Sequence, residues 1–151
     1  MKTRTSQWFE CKVRYAKMQE NGLLKKVTEQ YVVEALSYTE AEAAITKEME
    51  PYVSGDFEIT GIKPAAYREV CFSEDTQADR WFKAKLTFIT LDEKTEKEKR
   101  HPTFFLVQAS SLDNAVQNIG VAMKGTMIDY DKSSVVETKI LDVFEYRAAK
   151  E

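Results

Sequence analysis

The sequence predicts an α+β fold: a β-β-α-β unit occurs twice, and the two copies form a mixed sheet of about six strands with both helices on one face. Three observations support this prediction. The sequence repeats itself, apolar and polar residues alternate as in strands, and each pair of strand-like segments is followed by apolar residues at helical spacing. Two three-stranded sheets that close on one another are the alternative arrangement.

The repeat extends over most of the chain. Residues 8–15 return as 81–88 at an offset of 73, and residues 31–35 return as 105–109 at an offset of 74. In the predicted helices, the matched positions at an offset of 74 are Ala41 with Ala115, Ile45 with Ile119 and Met49 with Met123. Further along the chain, the matches at an offset of 78 are Tyr52 with Tyr130 and Ile62 with Ile140. The growing offset predicts about one extra turn in the second helix.

The repeat halves are therefore residues 7–72 and 80–146. Because a unit of about 70 residues supports only a marginal core, we expect the two halves to form a single domain over residues 1–151.

Each copy begins with two strands. Phe9, Cys11, Val13 and Tyr15 alternate with polar neighbours, as expected of a strand with one buried face. The dipeptide Asn21-Gly22 favours a tight type I′ turn into a second strand near residues 27–36. The matching second strand of the other copy is predicted at residues 102–110.

A helix follows the second strand in each copy. A capping box beginning at Thr39 marks the start of the first helix, and Ser110-Ser111 supplies the cap of the second. The third strands are predicted at about residues 56–63 and 134–142.

Composition excludes several classes of protein. The formal charge is −3, and no run approaches the roughly 20 apolar residues of a membrane helix. A protein that binds duplex nucleic acid through its overall charge is usually basic, which this chain is not. Cys11 and Cys71 match no metal or redox spacing and are expected to be inert thiols. We expect a cytoplasmic protein without a membrane partner.

The sequence contains no motif of a known active site, so we expect no enzymatic activity, catalytic residue, metal or cofactor. His101 is the only histidine and precedes Pro102 at the predicted start of a strand, where we expect it to face solvent. Asp129-Tyr130-Asp131 could bind a hard cation through oxygen atoms, but a polar turn after the helix is the favoured interpretation.

The candidate binding face lies on the first strand of each copy. Its residues alternate with the predicted core residues and combine aromatic with basic side chains: Trp8, Lys12 and Arg14 in one half, and Trp81, Lys83 and Lys85 in the other. Such a surface can stack bases and contact phosphates. Alternatively, each tryptophan packs under a loop, or the face associates with another protein or another copy, because Val32 and Leu106 would share it.

Several segments resemble a known family. Residues 8–15, Val27-Thr28-Glu29 and residues 37–42, together with Asp79-Arg80-Trp81-Phe82-Lys83 and residues 123–127, are similar to a family of small proteins of gut anaerobes and phage-like sequences. The family is catalogued as domain of unknown function family 4494. The resemblance implies an intracellular location and no particular chemistry.

Two functions are compatible with these residues. The preferred hypothesis is a non-enzymatic interaction module whose open sheet face binds a protein partner or forms a homo-oligomer. The alternative is a phage-related accessory protein that binds single-stranded nucleic acid.

Overall fold

The computed structural model describes residues 6–146, which form eight strands and two helices. The elements of the first repeat are β1 (Gln7–Met18), β2 (Leu24–Ala35), α1 (Tyr38–Met49), β3 (Phe57–Ala65) and β4 (Tyr67–Cys71). Those of the second repeat are β5 (Arg80–Leu91), β6 (Glu98–Ala109), α2 (Leu112–Met123), β7 (Asp129–Glu137) and β8 (Ile140–Phe144). No helix within this part of the chain is long and apolar enough to span a bilayer.

The strands form two four-stranded sheets, and each sheet belongs to one compact unit. Unit 1 contains the described residues up to Ala66 and those from Lys139 onwards, with the strand order β3-β1-β2-β8. Unit 2 runs from Tyr67 to Thr138, with the strand order β4-β6-β5-β7. The last strand of each repeat therefore completes the sheet of the other repeat's unit.

In unit 1, β1 pairs with β2 over all twelve residues of each strand, in antiparallel register without a bulge. β3 is antiparallel to β1, and β8 is parallel to β2. The helix α1 covers one sheet face, where its buried residues Ala41, Ile45 and Met49 meet a core formed by Phe9, Cys11, Val13, Tyr31 and Val33.

Unit 2 repeats this arrangement. β5 and β6 pair over twelve residues, β7 is antiparallel to β5, and β4 is parallel to β6. Ile119 and Met123 of α2 pack into a core with Ala84, Leu86, Phe88, Phe105 and Val107. The α+β class, the mixed pairing and the repeated unit are thus confirmed.

The structure differs from the prediction in its number of strands and sheets. Each repeat has a fourth strand, and the eight strands form two sheets instead of one.

The match of Ile62 with Ile140 is wrong. Ile62 lies opposite Cys11, and the residue in the equivalent position opposite Ala84 is Val135, at the offset of 73 found for the first strands. The two helices also have the same length of twelve residues, so the second has no extra turn. Ile140 instead begins β8.

Turn and cap chemistry explain the local boundaries. Gly22 lies in the β1–β2 turn as predicted, but Gln19 N donates to Leu23 O at 2.8 Å, which closes a three-residue loop with Gly22 at φ 82°. This is the geometry of a type I turn followed by a left-handed residue, and the turn is therefore not type I′.

The N-cap of α1 is Ser37 rather than Thr39, since the Ser37 hydroxyl accepts from Glu40 N at 3.2 Å. Ser111 caps α2 as predicted.

We expect Ile45→Ala and Ile119→Ala each to lower the free energy of unfolding by about 2–5 kcal/mol, because each leaves a cavity between a helix and its sheet. Both side chains are fully buried at matching positions. Val121→Ala, at a site of α2 that is 71% exposed, is the control and should change the stability by less than about 0.5 kcal/mol. Urea unfolding followed by circular dichroism measures all three. An effect of Ile45→Ala as small as that of the control would contradict this assignment of the core.

Candidate functional site

The strand register determines which side chains share a sheet face. Directly opposed residues of paired strands lie on the same face, and successive residues alternate between faces. In unit 1, Phe9, Cys11 and Val13 therefore face α1, whereas Trp8, Lys12 and Arg14 lie on the opposite face. In unit 2, Trp81, Lys83 and Lys85 lie opposite the α2 face by the same alternation.

The two tryptophans of the candidate face have different environments. Trp8 is half-buried, but Trp81 is only 1% exposed. The Phe72 ring contacts Trp81 edge-on, with 5.4 Å between ring centroids, and the Trp81 carbonyl oxygen accepts from the backbone amide and the hydroxyl of Thr138 at 2.9 and 2.8 Å. Trp81 thus corresponds to the packing alternative and offers no ring face to a ligand.

The apolar centre of this face is also closed. Val32 and Leu106, which were expected to make the face suitable for association, are both fully buried. Val143, directly opposite Val32 on β8, is 6% exposed. The expectation of an open face therefore fails at these positions, and only the more distal, charged part of the face is accessible.

The lysines of unit 2 are less available than those of unit 1. Lys83 is exposed, but its ammonium lies 4.7 Å from the centroid of the Phe104 ring, a cation–π contact. Lys85 is half-buried. Lys12 and Arg14 of unit 1 are exposed, and neither side chain forms an ion pair with another described residue.

Lys12 and Arg14 belong to a longer surface along the β1–β2 hairpin. Because the register has no bulge, every second residue of β1 and its partner on β2 continue the same face to the turn. We define the hairpin strip as the exposed cations and large apolar residues of this face, namely Lys12, Arg14, Met18, Leu24 and Lys26. Met18 and Leu24 oppose one another at the end of the hairpin and are 67% and 65% exposed.

Sequence reasoning found the first two residues of the hairpin strip and missed the other three. A signal was present, since Met18 and Leu24 flank the Asn21-Gly22 turn, where apolar side chains have no core to enter. Apolar residue types alone favour burial, so the pattern does not distinguish an exposed hairpin end from an extension of the core. The exposed pair shares its face with three cations, and a partner lying along the hairpin can gain both apolar and ionic contacts.

The corresponding surface of unit 2 has a different charge. Arg100, at the position equivalent to Lys26, pairs with Asp131 at 2.8 Å and with Glu98 at 3.5 Å. The hydrogen bond from Arg100 to Asp131 and the attraction between their charges raise the pKa of the guanidinium. Its charge is thus balanced by two carboxylates, while the three cations of the hairpin strip have no such partners in the described chain.

A carboxylate between two tyrosines is the main polar cluster on the other face of the hairpin. Glu29 Oε1 accepts from the hydroxyls of Tyr15 and Tyr31 at 2.9 and 3.1 Å, and Lys17 Nζ lies 3.4 Å from Glu29 Oε2. Burial, followed by the hydrogen bond to Glu29, raises the pKa of Tyr15 to about 12. Because these contacts already occupy the carboxylate, we interpret the cluster as structural.

The remaining candidates have ordinary surroundings. His101 is exposed, and its Nε2 lies 3.0 Å from the Thr90 hydroxyl oxygen. Asp129-Tyr130-Asp131 lies in β7 rather than in a turn, and Asp131 is engaged by Arg100. Within residues 6–146, no group of three or more histidine, cysteine, aspartate or glutamate side chains is placed to hold a metal ion.

Both cysteines are free thiols, with Cys11 buried in the core of unit 1 and Cys71 half-buried in β4. Burial raises the pKa of the Cys11 thiol to about 12 and that of the Cys71 thiol to about 11, and the nearby Glu10 and Glu69 carboxylates add to the respective shifts. Because the thiolate is the reactive form, both residues should react poorly near neutral pH.

We expect Ellman's reagent at pH 8 to modify both thiols of the native chain slowly, and Cys11 more slowly than Cys71. In urea, both thiols should react rapidly. Since both pKa values lie above 8, the thiolate fraction of each group is small in the folded state and rises when the chain unfolds. Cys11→Ser and Cys71→Ser variants assign the two rates. Fast reaction of Cys11 in the native chain would contradict its burial.

The comparisons with known proteins give one family. A family model described as a domain of unknown function (DUF4494) matches residues 7–146, which include all eight strands, both helices and the whole hairpin strip. Neither the comparison with curated proteins nor that with solved structures gives a match.

Proposed function

Since the chain belongs to the DUF4494 family, whose description names no activity, we propose from its geometry that it is a non-enzymatic interaction module. In this proposal the hairpin strip binds a protein partner that presents acidic and apolar side chains. The observation that carries the proposal is the continuous exposure of three cations and two large apolar residues on one face of one hairpin.

The charge pattern favours an acidic partner. The chain as a whole has a net charge of −3, yet Lys12, Arg14 and Lys26 form a local basic surface. The strand pairing places one acidic residue directly opposite these cations, since Glu58 of β3 lies opposite Arg14. The two side chains form no ion pair. An acidic partner would therefore gain ionic contacts without breaking an existing pair, and complementary charge would also accelerate association.

The apolar end of the hairpin supplies the second contact. Met18 and Leu24 are exposed by about two thirds of their surface, so a partner can still bury a large part of each side chain. Methionine adapts its shape to different partners, and burial of each such side chain contributes roughly 1–2 kcal/mol. The combination distinguishes the proposed partner from a purely acidic polymer.

The alternative proposal is a phage-related accessory protein that binds single-stranded nucleic acid. The unpaired cations of the hairpin strip support it, as does the setting in gut anaerobes and phage-like sequences that the sequence resemblance implies. The burial of Trp81 and the half-burial of Trp8 weigh against it, because bases need exposed aromatic rings on which to stack. An intracellular, cytoplasmic site of action is part of both proposals.

We expect a fluorescent peptide of alternating glutamate and leucine to bind the full chain, and Lys12→Glu/Lys26→Glu to weaken that binding at least about tenfold, since both substitutions turn attraction into repulsion. Met18→Ser/Leu24→Ser should also weaken it by removing the apolar contact. Fluorescence anisotropy at two salt concentrations measures the affinities. The matched control is Lys94→Glu/Lys97→Glu, which changes the net charge equally at exposed positions of the β5–β6 loop.

Two further probes separate the proposals. A peptide with glutamine in place of glutamate should bind weakly, and a labelled single-stranded oligonucleotide should bind less tightly than the acidic peptide. If the oligonucleotide binds more tightly and the charge variants abolish that binding, the nucleic-acid alternative is correct. If the strip variants and the control variants bind the acidic peptide equally well, the hairpin strip is not the binding surface.

A further inference from the structure

The fourth strand of each sheet comes from the other repeat. The chain leaves β3 of unit 1 and enters β4 of unit 2 after the single residue Ala66, and it leaves β7 of unit 2 and enters β8 of unit 1 after Thr138 and Lys139. β4 then pairs in parallel with β6, and β8 pairs in parallel with β2. Each sheet is thus completed by a strand reached through a connection of one or two residues.

The strands β4 and β8, each of which completes the sheet of the other repeat's unit, have the same residue pattern and equivalent registers with β6 and β2. Tyr-Arg-Glu-Val-Cys at residues 67–71 corresponds to Ile-Leu-Asp-Val-Phe at residues 140–144, with an acidic residue and a valine at matching positions. Val70 lies opposite Leu106, and Val143 lies opposite Val32. In both pairings the register shifts after the first pair. The edge of β2 that faces away from β1 and the edge of β6 that faces away from β5 are therefore equivalent acceptor sites for a short strand of this pattern.

β8 contacts β2 through its backbone pairing and through side chains. Ile140 and Val143 are 5% and 6% exposed, and the Phe144 ring stacks on the Tyr31 ring with 6.0 Å between centroids. Just after β8, the Tyr146 amide donates to Glu34 Oε1 at 3.0 Å. A β8 segment from a second copy could make the same contacts, because nothing in them depends on which chain supplies the strand.

We propose that the edge of β2 is an acceptor site for β8 of a second copy of this chain, so that two copies form a dimer by exchanging these strands. Exchange preserves the pairing of β8 with β2 and the contact between Phe144 and Tyr31, and it changes the covalent connection. A connection as short as Thr138-Lys139 is the kind of hinge at which strand exchange between copies occurs. The partner that fits is a second copy, since its strand has the required sequence.

The test compares the full chain refolded from urea at low and at high protein concentration, with mass measured by size-exclusion chromatography and light scattering. We expect the dimer fraction to rise with the concentration during refolding. We also expect the dimer to persist after dilution, because its dissociation requires β8 to leave β2. A chain that is monomeric at every refolding concentration would overturn the proposal.

A disulfide lock distinguishes strand exchange from association of folded surfaces. Val32→Cys/Val143→Cys, oxidised in dilute solution, ties β8 to β2 of its own chain, because these residues are direct register partners. The oxidised variant should stay monomeric after the same refolding, and its reduced form should dimerise like the wild type.

The matched control for the lock is Lys17→Cys/Lys25→Cys. It links β1 to β2 at an exposed pair outside the hairpin strip and leaves β8 free, so it should dimerise when oxidised. Equal dimer formation by the oxidised lock and by this control would show that the copies associate without exchanging β8, and would overturn the proposal. Neither outcome depends on whether the hairpin strip binds an acidic peptide.

Discussion

The unbroken antiparallel pairing of β1 with β2 is the constraint on which the rest of unit 1 depends. Twelve residues of each strand stay in register, so each side chain is assigned to one of two faces along the whole hairpin. One face receives Phe9, Val13 and Val33, which pack against Ile45 of α1. The other face then necessarily carries Lys12, Arg14 and Met18. A shift by one residue would expose the core and bury the cations, which makes this register costly to change.

The same pairing leaves a problem at the far edge of β2. With β1 on one side, the backbone amides and carbonyls of the other side need a partner or water. The buried side chains Tyr31, Val32 and Val33 allow little water there. β8 supplies the missing partner in unit 1, and β4 does so for β6 in unit 2. The exchanged strands therefore follow from the length and burial of the central hairpins, and they explain why a single β-β-α-β repeat leaves its sheet incomplete.

The sequence could predict those parts of the fold that have a regular period. Alternation located β1, β2, β5 and β6, and helical spacing placed Ala41, Ile45 and Met49 on one side of α1. The strands β4 and β8 were missed because they have five residues each and an irregular register, which disrupts a period of two. Ile140 was matched with Ile62 because both residues are apolar. The strand register shows that Val135 is the counterpart of Ile62.

The candidate site was predictable only in part, because periodicity assigns a residue to a face but cannot show whether that face is covered. Lys12 and Arg14 are on the expected face and exposed. Trp81 is on the equivalent face of its own unit and buried. Burial of this kind depends on contacts from outside the strand, such as the one from Phe72. The alternation of residue types within one strand does not predict such contacts.

The two copies have diverged at the surface more than in the core, and this divergence is the strongest argument for a function located in unit 1. Fully buried Ile45 and Ile119 occupy matching helix positions, as expected if both units must fold in the same way. On the hairpins, Lys26 corresponds to Arg100, which two carboxylates neutralise, and Leu24 corresponds to the charged Glu98. Folding alone would tolerate either surface in either unit, because exposed substitutions change stability little. Met18 does have an exposed apolar counterpart in Leu91, but only unit 1 combines an opposed apolar pair with unpaired cations. That combination in one copy is what a single binding surface on a duplicated scaffold would require.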